Sequence, residues 1–312
     1  MSGPTRIRSL NVGFFIPPVD GEAGMSTGLR SRVGARKTGA RLLVPLTVLF
    51  TVWLFPGATR AESDLPLFDA HVHYNREAWE VLPPEAVITI LDRAGVARAL
   101  VSSTPDDGTL RLWKQAPDRI VPEVRPYRSR NDMGTWTKDS SVLAYVTERL
   151  QRGIYRGIGE FPLGGGEANA PVPRGFVELA SRHGILLHCH CDEKAIEDLA
   201  SLAKGVRVLW AHAGMDSSVQ TVEKLLDAHP NLWVELAIRS DISPGGVLDP
   251  AWRALFLKHP DRFLVGTDTW INSQWERMPE ILAGFRKWLR QLPPAVGEKI
   301  SRGNGDRLFS PR

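Results

Sequence analysis

The sequence predicts an α/β protein of the (β/α)8 TIM-barrel class, and two observations carry that prediction. Short apolar runs of strand character alternate with runs of helical period, eight times over about 250 residues, the rhythm and size of a closed parallel barrel. Histidines and carboxylates recur where the apolar runs end, which is where such barrels build their sites. An open doubly wound sheet is the alternative. No Gly-x-Gly-x-x-Gly follows an early strand, so a dinucleotide site gives that alternative no support.

The barrel domain is expected over residues 62–312, behind an N-terminal segment of residues 1–61. There Arg30, Arg32, Arg36, Lys37 and Arg41 form a basic run. Leu42 to Phe55 is almost wholly apolar, and Pro56-Gly57-Ala58-Thr59-Arg60-Ala61 ends in small residues. That order is a secretory signal peptide, about residues 25–61 if Met25 is the true start. The apolar run contains Pro45 and falls short of the ~20 residues that span a bilayer. Cleavage and export to a periplasmic or secreted location are expected over an uncleaved membrane anchor, with no stable membrane insertion afterwards. Residues 1–61 hold eight Lys/Arg and two Asp/Glu, a net of +6; the chain totals +4, so the remainder carries −2. No basic surface is left to argue for nucleic acid.

The first strand opens at Leu65 and runs into Phe68-Asp69-Ala70-His71-Val72-His73, with a turn at Tyr74-Asn75. Pro83 to Gly95 reads as a helix, started by proline and stopped by glycine. Val96 to Ser102 is a strand, a short helix passes through Leu112 and Trp113, and Ile120 to Val124 is the third strand. Arg125 to Lys138 is a polar loop holding Arg128, Arg130 and Trp136. A helix at 140–152 carries Val142, Tyr145, Val146 and Leu150 on one side. Strands then follow at 155–161, 184–190, 206–212, 232–236 and 263–267. They are separated or followed by helices at 175–182, 193–203, 218–228, 250–257 and 278–292. Cys189 and Cys191, the two cysteines, lie on one side of the fifth strand. A bond between them would be strained, so free thiols packed behind the barrel are expected.

In a strand, side chains two apart share a face, so His71 and His73 point together and can hold one metal ion. The fourth strand ends at Glu160, the fifth at His188 and His190, the sixth at His212 and the eighth at Asp268. His183, His229 and His259 instead end helices, where they suit the helix dipole. Imidazole and carboxylate donors converging on one mouth suit Zn²⁺, with Mn²⁺ or Fe²⁺ as alternatives. Such an ion brings bound water towards neutral pKa, and Asp268 is the natural acceptor of its proton. Glu235 sits inside the seventh strand between Val234 and Leu236; a charge there points into the barrel towards a cation.

Asp69-Ala70-His71-Val72-His73, Gly159-Glu160, His188, His212-Ala213-Gly214, Gly266-Thr267-Asp268 and the tail Gly303-Asn304-Gly305-Asp306-Arg307-Leu308-Phe309 stand in order along the chain. Together they resemble the metal-dependent amidohydrolase superfamily, in its amidohydrolase-related branch. The resemblance implies that His71 and His73 ligate the more buried metal and that His188 is a ligand. It implies that Asp268 ligates and shuttles a proton. His212 is then either a ligand of a second metal or a hydrogen-bond donor to substrate. Glu160 stands where the family diverges: it is a bridging ligand of two ions or an ion-pair partner beside one. His190 contacts substrate or pairs with Asp192, the second being expected. Arg239 and Trp270 follow the seventh and eighth strands and are expected to shape the substrate pocket, while Arg128 and Arg130 read as solvated loop.

The function expected is hydrolysis of an amide, ester or lactone bond in a small exported-compartment substrate, with one or two divalent ions. Non-oxidative decarboxylation at a single ion is the enzymatic alternative, and a binding barrel without chemistry the third. Nothing in the sequence names the substrate or the oligomeric state.

Overall fold

Eight parallel strands follow one another around the ring in sequence order. The computed structural model describes residues 65–310; the leader reading lies outside the described residues, as do 62–64 and 311–312. The strands are β1 (Leu67–Val72), β2 (Val96–Val101), β3 (Ile120–Val124), β4 (Gly157–Leu163), β5 (Leu186–Cys191), β6 (Val208–Trp210), β7 (Leu232–Glu235) and β8 (Phe263–Leu264), each pairing with the next. The ring closes where Ala70 N donates to Val265 O at 2.8 Å and His73 N to Thr269 O at 2.7 Å, with a parallel bridge from Val72 to Thr269. Helices α1 (Pro84–Arg93), α2 (Asp107–Gln115), α3 (Ser140–Leu150), α4 (Pro171–His183), α5 (Glu193–Leu202), α6 (Val219–Ala228), α7 (Pro250–Lys258) and α8 (Asn272–Leu289) follow the strands. Two short ones, α9 (Pro294–Glu298) and α10 (Asn304–Leu308), end the chain.

Strand alternation sorts the side chains into two layers. In β5, Leu187, Cys189 and Cys191 join the large apolar layer between strands and helices, while Leu186 joins a smaller cluster inside the ring. That inner cluster is Phe68, Ala70, Leu100, Val121, Leu186, Leu209 and Leu264 from the strands, with Leu308 and Phe309 from the tail. Continuing β3 and β5 by two residues replaces Val121 by Glu123 and Leu186 by His188, so there the interior turns from apolar to polar towards the strand C-termini. In β1 the parity is reset. Ala70 is in the inner cluster and Val72 in the outer layer, with a register shift between Asp69 and Val72. The shift lets His71 and His73 face the mouth although Phe68 and Ala70 already face inward.

The tail motif plugs the opposite end. Phe309 stacks on Phe68 with centroids 5.4 Å apart. Arg207 Nη1 donates to Leu308 O at 2.7 Å, and Arg98 pairs with Asp306 at 3.0 Å. Gly305 is required because a Cβ there would lie 2.3 Å from Phe68 Cγ.

Three expectations are corrected. Cys189 and Cys191 are joined as a disulfide; their Cα atoms are 5.5 Å apart, inside the range that a disulfide spans, so free thiols are not what the strand carries. Strand β6 stops at Trp210, short of His212, because His212 and Ala213 adopt φ of 56° and 47°, which no strand accommodates. Helix α8 starts at Asn272, not Met278, and carries Pro279 inside it. Trp275 and Met278, both fully buried, anchor the extra turns and offset the hydrogen bond that the proline lacks.

Candidate metal centre

The bulged end of β1 delivers two imidazoles whose outer nitrogens are already committed. His73 Nδ1 lies 2.7 Å from Ser102 O, a carbonyl that only accepts, so Nδ1 carries the proton. His71 Nδ1 lies 3.0 Å from Glu235 Oε2 and carries one too. Both Nε2 atoms then present lone pairs in the neutral ring, yet they face each other at 3.0 Å. Two lone pairs that close need positive charge between them.

Two carboxylates complete the set. Glu160 Oε2 lies 3.4 Å from His71 Nε2 and 3.3 Å from His73 Nε2, and Asp268 Oδ1 lies at the same two distances, 3.4 and 3.3 Å. His71, His73 and Asp268 offer ligand atoms that all lie within 4.8 Å of one another, and Glu160 Oε2 lies beside both nitrogens, so this set of imidazoles and carboxylates suits a divalent cation. Asp268 reaches this place through a left-handed backbone, φ 49°, a conformation that costs energy in a non-glycine residue. Asp69 braces the same corner: it accepts from Thr267 N at 3.0 Å and Thr267 Oγ1 at 2.8 Å, and burial pushes its carboxyl up to about 7 despite those bonds.

The electrostatics agree. Burial works against a charged His71, but Glu160 and Asp268 outweigh it and raise the imidazole well above its ordinary range. Burial likewise works against ionised Glu160 and Asp268, but His71 above all holds both below the usual carboxylate range. A proton on His71 Nε2 and a divalent ion among the four donors are alternative ways to supply the positive charge that this cluster demands.

The remaining predicted residues lie around this core. His188 donates from Nδ1 to Glu123 Oε2 at 3.0 Å, leaving its buried Nε2 without a hydrogen-bond partner and its ring centroid 4.8 Å from that of His71. His212 Nε2 stands 3.5 Å from Glu160 Oε1 and 3.9 Å from Asp268 Oδ2, too far for a good hydrogen bond. Glu235 does point inward: Oε2 accepts from His71 and from His212 N at 3.2 Å. Such outer partners fix the tautomer and orientation of a ligating imidazole. Glu123 performs the same service for His188 and went unread in the sequence, although a charge inside an apolar strand is the signal that Glu235 gives.

Above the cluster opens a cavity of about 810 Å³ lined by His73, Glu160, His190, Asp268, Arg125 and Trp270, among others. His190 is not paired with Asp192. Its Nδ1 lies 2.8 Å from Glu160 Oε1, while Asp192 caps α5 by accepting from Ala195 N at 2.8 Å. Trp270 stands at the rim, partly exposed. Arg239 does not reach the cavity. It donates to Ala213 O and Ser217 O, both at 2.9 Å, and to Asp241 at 2.7 Å, so its guanidinium clamps the loop after β6. Arg128 is held by Asp132 at 2.9 Å and Asp139 at 3.2 Å. Trp136 packs flat on Phe176, centroids 5.4 Å apart, as loop packing and not as a lid.

A model of the family described as Amidohydrolase matches residues 68–310. Among solved structures the chain is similar to a probable 2-pyrone-4,6-dicarboxylic acid hydrolase from Acinetobacter baumannii, with 16% identity, covering 78% of this chain and 98% of that one, TM-score 0.55. It is also similar to a TatD homolog from Escherichia coli, with 16% identity, covering 79% and 98%, TM-score 0.53. At such identities the likeness is one of fold. No curated protein matches the chain.

Proposed function

The chain belongs to the amidohydrolase family and so to a superfamily of metal-dependent enzymes; from that premise we propose that it hydrolyses an amide, ester or lactone bond of a small substrate. The observation that carries the reading is the facing pair of Nε2 atoms, 3.0 Å apart with both Nδ1 atoms committed, between two carboxylates. His71, His73, Glu160 and Asp268 would hold the ion, with Zn²⁺ the expected one and Mn²⁺ or Fe²⁺ next. When bound, it would supply Lewis acidity to a substrate carbonyl and to water.

The chain's own residues supply the rest. Asp268 lines the cavity beside His71 and His73, so as a carboxylate it can accept the proton that the attacking water loses. His212, buried beside Glu160, is a donor for the oxygen on which charge develops. His190 is tethered to Glu160 at the cavity floor, where a substrate would meet it. The leader supports export of the mature enzyme from about residue 62, and secretion of a tagged full-length chain with loss of its N-terminus would test that.

One observation favours the second reading, non-oxidative decarboxylation. Arg125 Nη2 lies 3.0 Å from Glu160 Oε2, so Glu160 already has a cationic partner besides any ion it shares. The test is a screen of lactones, esters and amides on metal-loaded protein, run beside a CO₂ detector. Turnover of one of those bonds supports hydrolysis. Stoichiometric CO₂ from an aromatic or enol acid, without water consumed, would replace it.

A further inference from the structure

Glu160 is the residue on which one ion or two depends, because a carboxylate that bridges two ions in the usual two-oxygen mode gives one oxygen to each. Its two oxygens face opposite ways. Oε2 faces His71 and His73 at 3.4 and 3.3 Å. Oε1 faces His190 Nδ1 at 2.8 Å and His212 Nε2 at 3.5 Å. A second ion would have to bind on the Oε1 side.

Arg125 stands at that carboxylate. Its Nη2 donates to Glu160 Oε2 at 3.0 Å and its Nε to the Glu160 carbonyl at 3.3 Å, so one guanidinium grips both the side chain and the backbone of one residue. The guanidinium carbon also lies 5.4 Å from the centroid of the Tyr127 ring, and Tyr127 is fully buried. The Arg125 side chain is only 12% exposed and that of Glu160 5%, so water screens the charge poorly. A guanidinium cannot discard its proton to make room for another cation.

We infer that Arg125 is the second positive charge of this centre, a fixed cation on Glu160 that limits the site to one divalent ion at His71, His73, Glu160 and Asp268. The inference rests on reading the cluster as a metal centre. It follows from three features together. The guanidinium sits on Oε2 in a poorly screened place and offsets much of the Glu160 charge that a second ion would need. It pins the Glu160 carboxylate with Oε2 towards the first ion. And Oε1 is occupied by the His190 imidazole, which would have to give up its contact before an ion could bind there. Arg125 is thus a positioning and charge-setting residue, not a ligand.

The experiment is metal stoichiometry. The purified protein, as wild type, Arg125→Gln and Arg125→Lys, is loaded with excess Zn²⁺, desalted and analysed for metal per chain; Mn²⁺-loaded wild type is examined by electron paramagnetic resonance. Expected are about one equivalent in wild type and in Arg125→Lys, about two in Arg125→Gln, and an uncoupled Mn²⁺ spectrum. Two equivalents, or an exchange-coupled Mn²⁺ pair, in wild type would overturn the inference and leave the metal centre intact. One equivalent in both wild type and a folded Arg125→Gln would overturn it as well, since the guanidinium would not be what excludes the second ion. Arg125→Met, of similar length, serves if the glutamine variant does not fold. No metal at all in folded wild type would instead overturn the metal centre itself.

Discussion

Replacing Glu235 by glutamine should weaken metal binding while leaving every proposed ligand in place. Glu235 is fully buried and accepts three hydrogen bonds. His71 Nδ1 at 3.0 Å and His212 N at 3.2 Å meet Oε2, and Ala237 N meets Oε1. Glutamine offers one acceptor and one amino group in the same two places. With its oxygen towards His71, the amino group confronts the Ala237 N–H; reversed, it confronts both the imidazole N–H and the His212 N–H. The first arrangement costs less and still leaves a buried donor unpaired, at about 1–3 kcal/mol. Meanwhile His71 loses the negative partner that makes its Nε2 basic. Removal of such an outer partner typically lowers metal affinity ~10–100-fold, or about 1.4–2.7 kcal/mol. The assay is competition for Zn²⁺ against a chromophoric chelator at fixed pH, with urea unfolding of the metal-free protein beside it. Wild-type affinity in a folded Glu235→Gln protein would refute the tautomer assignment from which the facing lone pairs were derived.

Three further outcomes follow from structure away from the ligands. Burial pushes the Asp106 carboxyl from its ordinary 3.8 up to about 6, against the opposing pull of the Tyr155 hydroxyl and Arg149. A raised carboxyl means that the folded state holds its proton more tightly, so this residue's contribution to stability is full below pH 4 and is lost as pH rises to about 6, by about 3 kcal/mol. Asp106→Asn should therefore gain on wild type across that window in urea titrations at stepped pH, and parallel curves would sink the assignment. Gly305→Ala should lower unfolding free energy by about 1–3 kcal/mol through collision with the Phe68 ring, measured in the same way; a neutral result would mean that the tail does not seat on Phe68. Arg239→Leu, which leaves the buried Ala213 and Ser217 carbonyls without their donor, should cost about 2–4 kcal/mol, and a stability equal to wild type would show the clamp to be dispensable.

How far the sequence could be read depends on whether the deciding interaction is local. The strand–helix alternation is local, and the order of elements follows it from end to end. Helix starts were legible where a capping side chain announces them, as Asp192 does for α5 and Asp249 for α7. The Asp192 cap bears on the centre as well. A side chain that caps its own helix is not available to His190, and the imidazole turns to Glu160 instead. The start of α8 was not legible, because it depends on Trp275 and Met278 finding buried places that only the assembled barrel provides.

The residue types of the centre were legible for the same reason: a strand end is a local feature, and His, Glu and Asp at several of them are conspicuous. Their partners were not, because partnership is set across the ring. Glu123 and Glu235 are equivalent in kind, each a charge within an apolar strand and each serving an imidazole on another strand. Glu235 stands out between Val234 and Leu236, whereas Pro122 beside Glu123 masks the strand that holds it. The arginines make the point most sharply. Arg239 and Arg125 both follow strand ends, and composition cannot rank them. Ile238 has φ 65°, a left-handed turn at a β-branched residue. That turn accompanies an Arg239 folded back onto the loop after β6, whereas Arg125 continues directly from Val124 and reaches Glu160 on the neighbouring strand. What separates a loop clamp from a charge beside the carboxylate cluster is therefore the partner each guanidinium meets, Ala213 and Ser217 for one and Glu160 for the other, and those partners lie on other strands and loops, far away in the chain.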